Sequence, residues 1–296
     1  MRAIHLKPKL AVAIVVLAVV GATPAFCTDQ PSESPVELVR RTVQRETASG
    51  NSGAKVMFTL RKQTPHGSQT KLIVETREGM AGMLVAENGK PLTPEQRQAE
   101  EARLSGLVSN PEQLKKKQKS EKDDEERMVR IMQALPDAFL YELDGSVPGS
   151  QEIGKAGGQL VRLKFRPNPK YSPPSHVEQV LTGMQGYMLI DADQYRIAKI
   201  DGTLVKEVGF GWGILGHLDR GGQFLVEQAK VLSGEWEVTH MSLCFTGKAL
   251  LFKSLNINSE EVFSDFRPVP STLTFAQGVE LLKRQEAELA QNWQKP

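Results

Sequence analysis

Residues able to do chemistry occur throughout this chain, but their spacing assigns them none. Gly211-Trp212-Gly213-Ile214-Leu215-Gly216 spells G-x-G-x-x-G. That pattern seats a pyrophosphate only where a strand leads in and a helix leads out, so that the helix N-terminus receives the anion. Here the next periodic segment, from Gln223, alternates like a strand, and the glycines read as a loop. Gly247-Lys248 lacks the upstream glycine and the following Ser or Thr of a phosphate-binding loop. His66, His176, His217 and His240 form no His-x-His or His-x-x-x-His zinc pair. His66 and His217 fall in predicted turns and His240 in a strand. Cys244 lies in an apolar strand, where a thiol behaves as a small core residue, and no Gly-x-Ser-x-Gly elbow is present. Asp191 and Asp193 begin like a calcium loop, yet Tyr195 and Ile197 stand where further oxygen ligands belong, so the pair marks a turn. These readings predict a protein that is not an enzyme, with no catalytic residue, no metal ligand and no cofactor.

What the chain offers instead is hydrocarbon at a period of two. Lys55 to Arg61 alternates Val56, Phe58 and Leu60 against Lys55, Thr59 and Arg61, and after a turn at Pro65-His66-Gly67-Ser68 the run Lys71 to Arg77 repeats the pattern with Leu72 and Val74. The spacing predicts a β-hairpin with one apolar face. Val56, Phe58, Leu60, Leu72 and Val74 are therefore the candidate ligand-binding residues, on an apolar face that serves equally as sealed core.

Further strands are predicted at Met83–Ala86, Ala138–Leu143 and Leu160–Phe165. A meander follows from Gly186 through Tyr187–Ile190, Tyr195–Ile200, Leu204–Gly209, Gln223–Val231, Trp236–Phe245 and Lys248–Lys253 to a last strand ending near Arg267. Turn signals at Asp191-Ala192-Asp193, Asp201-Gly202, Gly221-Gly222 and Ser233-Gly234 punctuate it. No βαβ alternation appears, which predicts an α+β protein with an antiparallel sheet. Helices are expected where Ser34-Pro35-Val36-Glu37, Thr93-Pro94-Glu95-Gln96 and Asn110-Pro111-Glu112-Gln113 each supply an N-cap, an N1 proline and an acid or amide near the third position. Thr274 with Gln277 opens a fourth, carrying Val279, Leu282, Leu289 and Trp293. Residues 93–135 hold basic and acidic residues in equal number, with apolar stripes at Leu104, Leu107 and Val108 and at Met128, Ile131, Met132 and Leu135. They predict a charged helical-hairpin insertion that docks at its two ends.

The N-terminus bears on location. Arg2, Lys7 and Lys9 precede the apolar run Leu10–Val20, which ends at Gly21-Ala22-Thr23-Pro24-Ala25. This is the order of a secretory signal peptide, and the run is shorter than the ~20 apolar residues a membrane span needs. Residues 1–27 are therefore expected to be removed after Ala25 or Cys27, leaving one domain over 28–296 in the periplasm or medium with no transmembrane span. Phe26 before Cys27 argues against lipid attachment there. Without Arg2, Lys7 and Lys9, the 37 Lys plus Arg of the chain nearly balance its 35 Asp plus Glu, which excludes the basic footprint of a nucleic-acid binder. With Cys244 as the one cysteine certain to remain, stability must come from packing rather than disulfides.

Gly183-Met184-Gln185-Gly186-Tyr187-Met188-Leu189-Ile190-Asp191, running into Tyr195-Arg196-Ile197-Ala198-Lys199-Ile200, resembles the strand–turn–strand of the bacterial outer-membrane lipoprotein-sorting (LolA-like) superfamily. Gly89-Lys90-Pro91-Leu92-Thr93-Pro94, Leu163-Lys164-Phe165-Arg166-Pro167-Asn168-Pro169 and Phe263-Ser264-Asp265-Phe266-Arg267-Pro268-Val269-Pro270 are similar to an uncharacterised group of exported bacterial proteins. The resemblance implies an incomplete antiparallel barrel, curved around helices, whose apolar concave side holds lipid or lipoprotein acyl chains or another apolar ligand. The alternative expectation is an envelope sensor or scaffold with a solid core that binds a protein partner.

Overall fold

The computed structural model describes residues 33–49, 54–210, 216–231, 234–249 and 253–293. The predicted signal segment, the glycine-containing run 50–53 expected to follow the first helix, residues 211–215 of the G-x-G-x-x-G pattern and Ser233 lie outside the described residues. Each cap that opens a helix is formed. Ser34 Oγ accepts from the Glu37 amide at 3.3 Å at the start of α1 (Pro35–Ser49). Thr93 and Gln96 close a reciprocal capping box at α2 (Pro94–Ser109), and Asn110 Oδ1 accepts from the Gln113 amide at α3 (Pro111–Ala138). Thr274 and Gln277 do the same at α4 (Phe275–Trp293). An N-cap satisfies amides that have no partner inside the helix, so the start points follow from local chemistry alone. No helix among the described residues is long and apolar enough to cross a membrane.

The strands are β1 (Val56–Thr64), β2 (Gly67–Thr76), β3 (Gly79–Glu87), β4 (Lys90–Pro91), β5 (Phe139–Pro148), β6 (Gln159–Pro167), β7 (Met184–Asp191), β8 (Arg196–Leu204), β9 (Val208–Phe210), β10 (Gly216–Leu218), β11 (Gln223–Lys230), β12 (Trp236–Ala249) and β13 (Lys253–Pro268). They form one 13-stranded sheet in the order β4-β3-β2-β1-β13-β12-β11-β8-β7-β6-β5, with the β9–β10 hairpin attached to β12. All pairings between these strands are antiparallel, and the path has two free ends, so this is an open sheet and not a closed barrel.

Four local expectations are corrected. Asp201-Gly202 makes no turn, because β8 runs through it to Leu204. Gly202 lies between Gly186 and Phe224 in register, and a Cβ there would stand 2.2 Å from the Phe224 ring, so the glycine serves close packing. His217 is not in a turn but in β10, and the strands predicted at Trp236–Phe245 and from Lys248 are one strand, β12. Cys244 is not core. Alternation turns Leu243 and Phe245 inward and leaves Cys244 exposed beside Gln223 and Asn258.

Curvature follows from α3. Nine strand intervals separate β3 from β5, roughly 43 Å in a flat sheet. Yet Gln118 of α3 donates to the Glu78 carbonyl beside β3, while the Leu135 carbonyl accepts from the Tyr141 hydroxyl of β5. Those two helix positions are about 26 Å apart at 1.5 Å per residue. The sheet therefore bends toward α3, whose side is the concave one. On that face Leu38, Val39 and Val43 of α1 and Leu135 of α3 bury against Phe139, Leu163, Phe165, Met188 and Leu204. A second core forms on the opposite, convex face at the other end of the sheet. There Phe275, Val279 and Leu282 of α4 and Leu104 of α2 cover Met57, Leu72, Val74, Ala81, Met83 and Val85.

Candidate functional site

Register decides what the predicted apolar set does. Alternation along β1 carries Val56, Phe58 and Leu60 to the concave face. Pairing of Met57 with Val74 and of Thr59 with Leu72 carries Leu72 and Val74 to the convex face. The hairpin therefore has two apolar faces rather than one. Leu72 and Val74 are sealed under α4 at 5% and 0% exposure, and Val56 is buried at 1%. Phe58 and Leu60 stay half-buried, and they are the two candidates that the structure leaves accessible.

Phe58 has company that periodicity does not predict. Its cross-strand neighbour is Ile73, and Leu60 stands opposite Phe263. A bulge in β13 opposite Met57 and Thr59, with Asp265 at φ +57°, adds a residue between Phe263 and Phe266. Two phenylalanines three apart would point to opposite faces of a regular strand; the bulge brings both onto Phe58, with ring centroids 5.9 and 5.5 Å away. The usable signal lay in the Phe263-Ser264-Asp265-Phe266 segment, but only the left-handed backbone at Asp265 converts it into a cluster.

Phe58, Leu60, Ile73 and Phe263 floor a cavity of about 450 Å³ with Leu84, and Leu104 and Leu107 of α2 and Phe275 of α4 reach it past the β3 edge. Its rim is charged and comes from the helices. Arg103 donates to the Gly82 carbonyl at 2.8 Å, and Glu100 accepts from the Leu84 amide at 2.8 Å while pairing with Arg103. Burial pushes the Glu100 carboxyl up, but the Arg103 and Leu84 hydrogen bonds outweigh it and hold the group below its ordinary range. Glu121 pairs with Lys117 and accepts from the Met80 amide. Among the described residues, no serine, cysteine or histidine lines the cavity.

A second polar group lies where α1 meets β8. Glu46 accepts from the Ile197 amide at 2.8 Å and pairs with Arg196 at 3.0 Å, both side chains largely buried. Burial raises the Glu46 carboxyl more than Arg196 and the amide lower it. Glu237 is pushed up to about 7 by burial and then by the charges of Glu75 and Glu235, against Arg196. On the convex face an open recess of about 620 Å³ is lined by Arg162, Lys164 and Arg166 of β6 beside Tyr187. Asp144 already pairs with Arg162 and Lys164 there, at 3.0 and 2.7 Å.

No protein-family model matches the sequence, and no curated protein matches it. Among solved structures, the chain is similar to a DUF1329 family protein from Desulfovibrio piger, with 10% identity and a TM-score of 0.29 over 83% of this chain and 97% of that one. An overlap at that score assigns neither family nor function to this chain.

Proposed function

We propose that this chain is a non-enzymatic extracytoplasmic binding protein that accommodates a lipid, a lipoprotein acyl chain or another apolar ligand in the concave face of its open sheet. The observation that carries the reading is the Phe58, Phe263 and Phe266 cluster. Large apolar side chains that are only half covered, beside a cavity bounded by helices, gain about 25 cal/mol for each Å² that a ligand removes from water. The resemblance of the strand–turn–strand at Gly183–Ile200 to lipoprotein-sorting proteins supports the same ligand class, and the signal segment supports periplasmic or secreted location. A second reading, an envelope scaffold that binds a protein partner, is favoured by Met128 of α3 and Leu143 of β5, which are 60% and 61% exposed.

The test is native mass spectrometry of the tagged protein purified from envelope fractions, followed by solvent extraction. The expected result is a chain shortened after Ala25 or Cys27 carrying an apolar mass that denaturation releases. A chain that keeps its N-terminal segment, or a processed chain that is bare and binds no apolar probe, would overturn the proposal.

A further inference from the structure

We infer that Glu207, His217 and Asp219 form a binding site for one divalent transition-metal ion of the zinc type, on the outer face of the β9–β10 hairpin. Leu218 pairs with Val208 and His217 with Gly209. Continuing that register by one step sets Asp219 opposite Glu207. Alternation then divides the hairpin cleanly: Val208, Phe210 and Leu218 turn toward the concave core, and His217, Asp219 and Glu207 share the outer side. Two carboxylates directly opposite each other across a strand pair repel. Here they converge with an imidazole, and the ligand atoms of all three lie within 4.8 Å of one another.

The local geometry suits a small cation. His217 Nε2 stands 3.3 Å from Asp219 Oδ1, close to the ~3.4 Å edge of a tetrahedron with metal–ligand bonds of about 2.1 Å. Asp219 is held for the task. Its amide donates to the Thr246 carbonyl at 2.9 Å, and its Oδ2 accepts from Thr246 Oγ1 at 2.7 Å, leaving Oδ1 to face the imidazole. A hydroxyl that orients a ligating carboxylate in this way is the usual outer-shell partner of a metal site. Glu207 is exposed, so its side chain is free to swing onto the ion, and water completes the coordination. One imidazole with two carboxylates selects zinc-like ions over magnesium or calcium, which take oxygen ligands. His217 lies in β10, Asp219 follows it and Glu207 immediately precedes β9, ten positions before His217, so no contiguous zinc motif announces them.

An ion bound there staples the hairpin whose inner side closes the concave core. The inference is independent of the apolar-ligand proposal. It is tested on the processed full chain, stripped with chelator and titrated with Zn²⁺ alone by calorimetry, with thermal melts in parallel. The expected result is one Zn²⁺ per chain, a rise in melting temperature on binding, and little response to Mg²⁺ or Ca²⁺. His217→Gln and Glu207→Gln should abolish both signals while leaving the metal-free melt near wild type, and Thr246→Val should weaken binding about tenfold to a hundredfold. Absence of Zn²⁺ binding would overturn the site, as would binding unchanged in both ligand variants or Mg²⁺ binding as tight as Zn²⁺.

Discussion

Phe58 and Val74 stand on neighbouring strands yet answer to different physics. Val74 is fully buried beneath α4, so Val74→Asp strands a carboxylate among hydrocarbon and should cost about 3–5 kcal/mol, enough to unfold the domain. Phe58 is half-buried beside a cavity with a charged rim, so Phe58→Asp should leave a cooperative melt only modestly lowered while abolishing binding of a fluorescent fatty-acid probe. Equal loss of stability in the two variants would mean that both faces are sealed core. Glu237 makes a pH prediction. Its folded-state pKa of about 7 lies above the ordinary carboxylate value, so the folded chain holds this proton more tightly than the unfolded chain. The folded state is therefore relatively favoured at low pH and loses that advantage as pH rises from about 4.5 to about 7. Glu237→Gln should accordingly melt higher than wild type above pH 7, by roughly 1–2 kcal/mol after allowance for solvent screening, and match it near pH 4. A gap that does not change with pH would show that Glu237 titrates normally.

At the scale of elements, the two ends of the sheet are treated differently. The β3 end is closed by side chains: Glu100 and Arg103 of α2 take the Leu84 amide and Gly82 carbonyl, and Gln118 and Glu121 of α3 take the Glu78 carbonyl and Met80 amide. Unpaired edge groups recruit other strands, and charged cover of this kind prevents it. The double variant Glu100→Ala/Arg103→Ala should thus self-associate with rising concentration in sedimentation velocity runs, whereas the parent should not. If the variant stays as monodisperse as the parent, the helices cover the edge by bulk alone. At the β5 end, Leu140 is 38% and Leu143 61% exposed.

For the whole molecule, α3 is the element that spans the concave side. Its ends are anchored, but Asp124 to Met128 are exposed, so the middle is held by helix hydrogen bonds and by local ion pairs such as Lys119 with Asp123 at 2.8 Å. Asp124→Pro should cost about 3 kcal/mol there without touching either core. With Cys27 and Cys244 replaced and spin labels placed at Lys90 and Ser146, the distance distribution between the sheet ends should broaden in the proline variant. An unchanged distribution would mean that strand twist alone sets the curvature. The helix starts, the antiparallel class and most strands were legible in the sequence, because caps and alternation are settled among neighbours within a few residues. Thr93 with Gln96, and Val56 with Phe58 and Leu60, carry that information locally. What tertiary structure alone decided is which face each apolar set joins. The pairing of Thr59 with Leu72 split the predicted binding face in two, the bulge at Asp265 assembled Phe58, Phe263 and Phe266, and the β9–β10 register brought Glu207 to His217 and Asp219. Register is a property of two strands at once, since a shift of one residue reverses every side chain, and no single segment contains it.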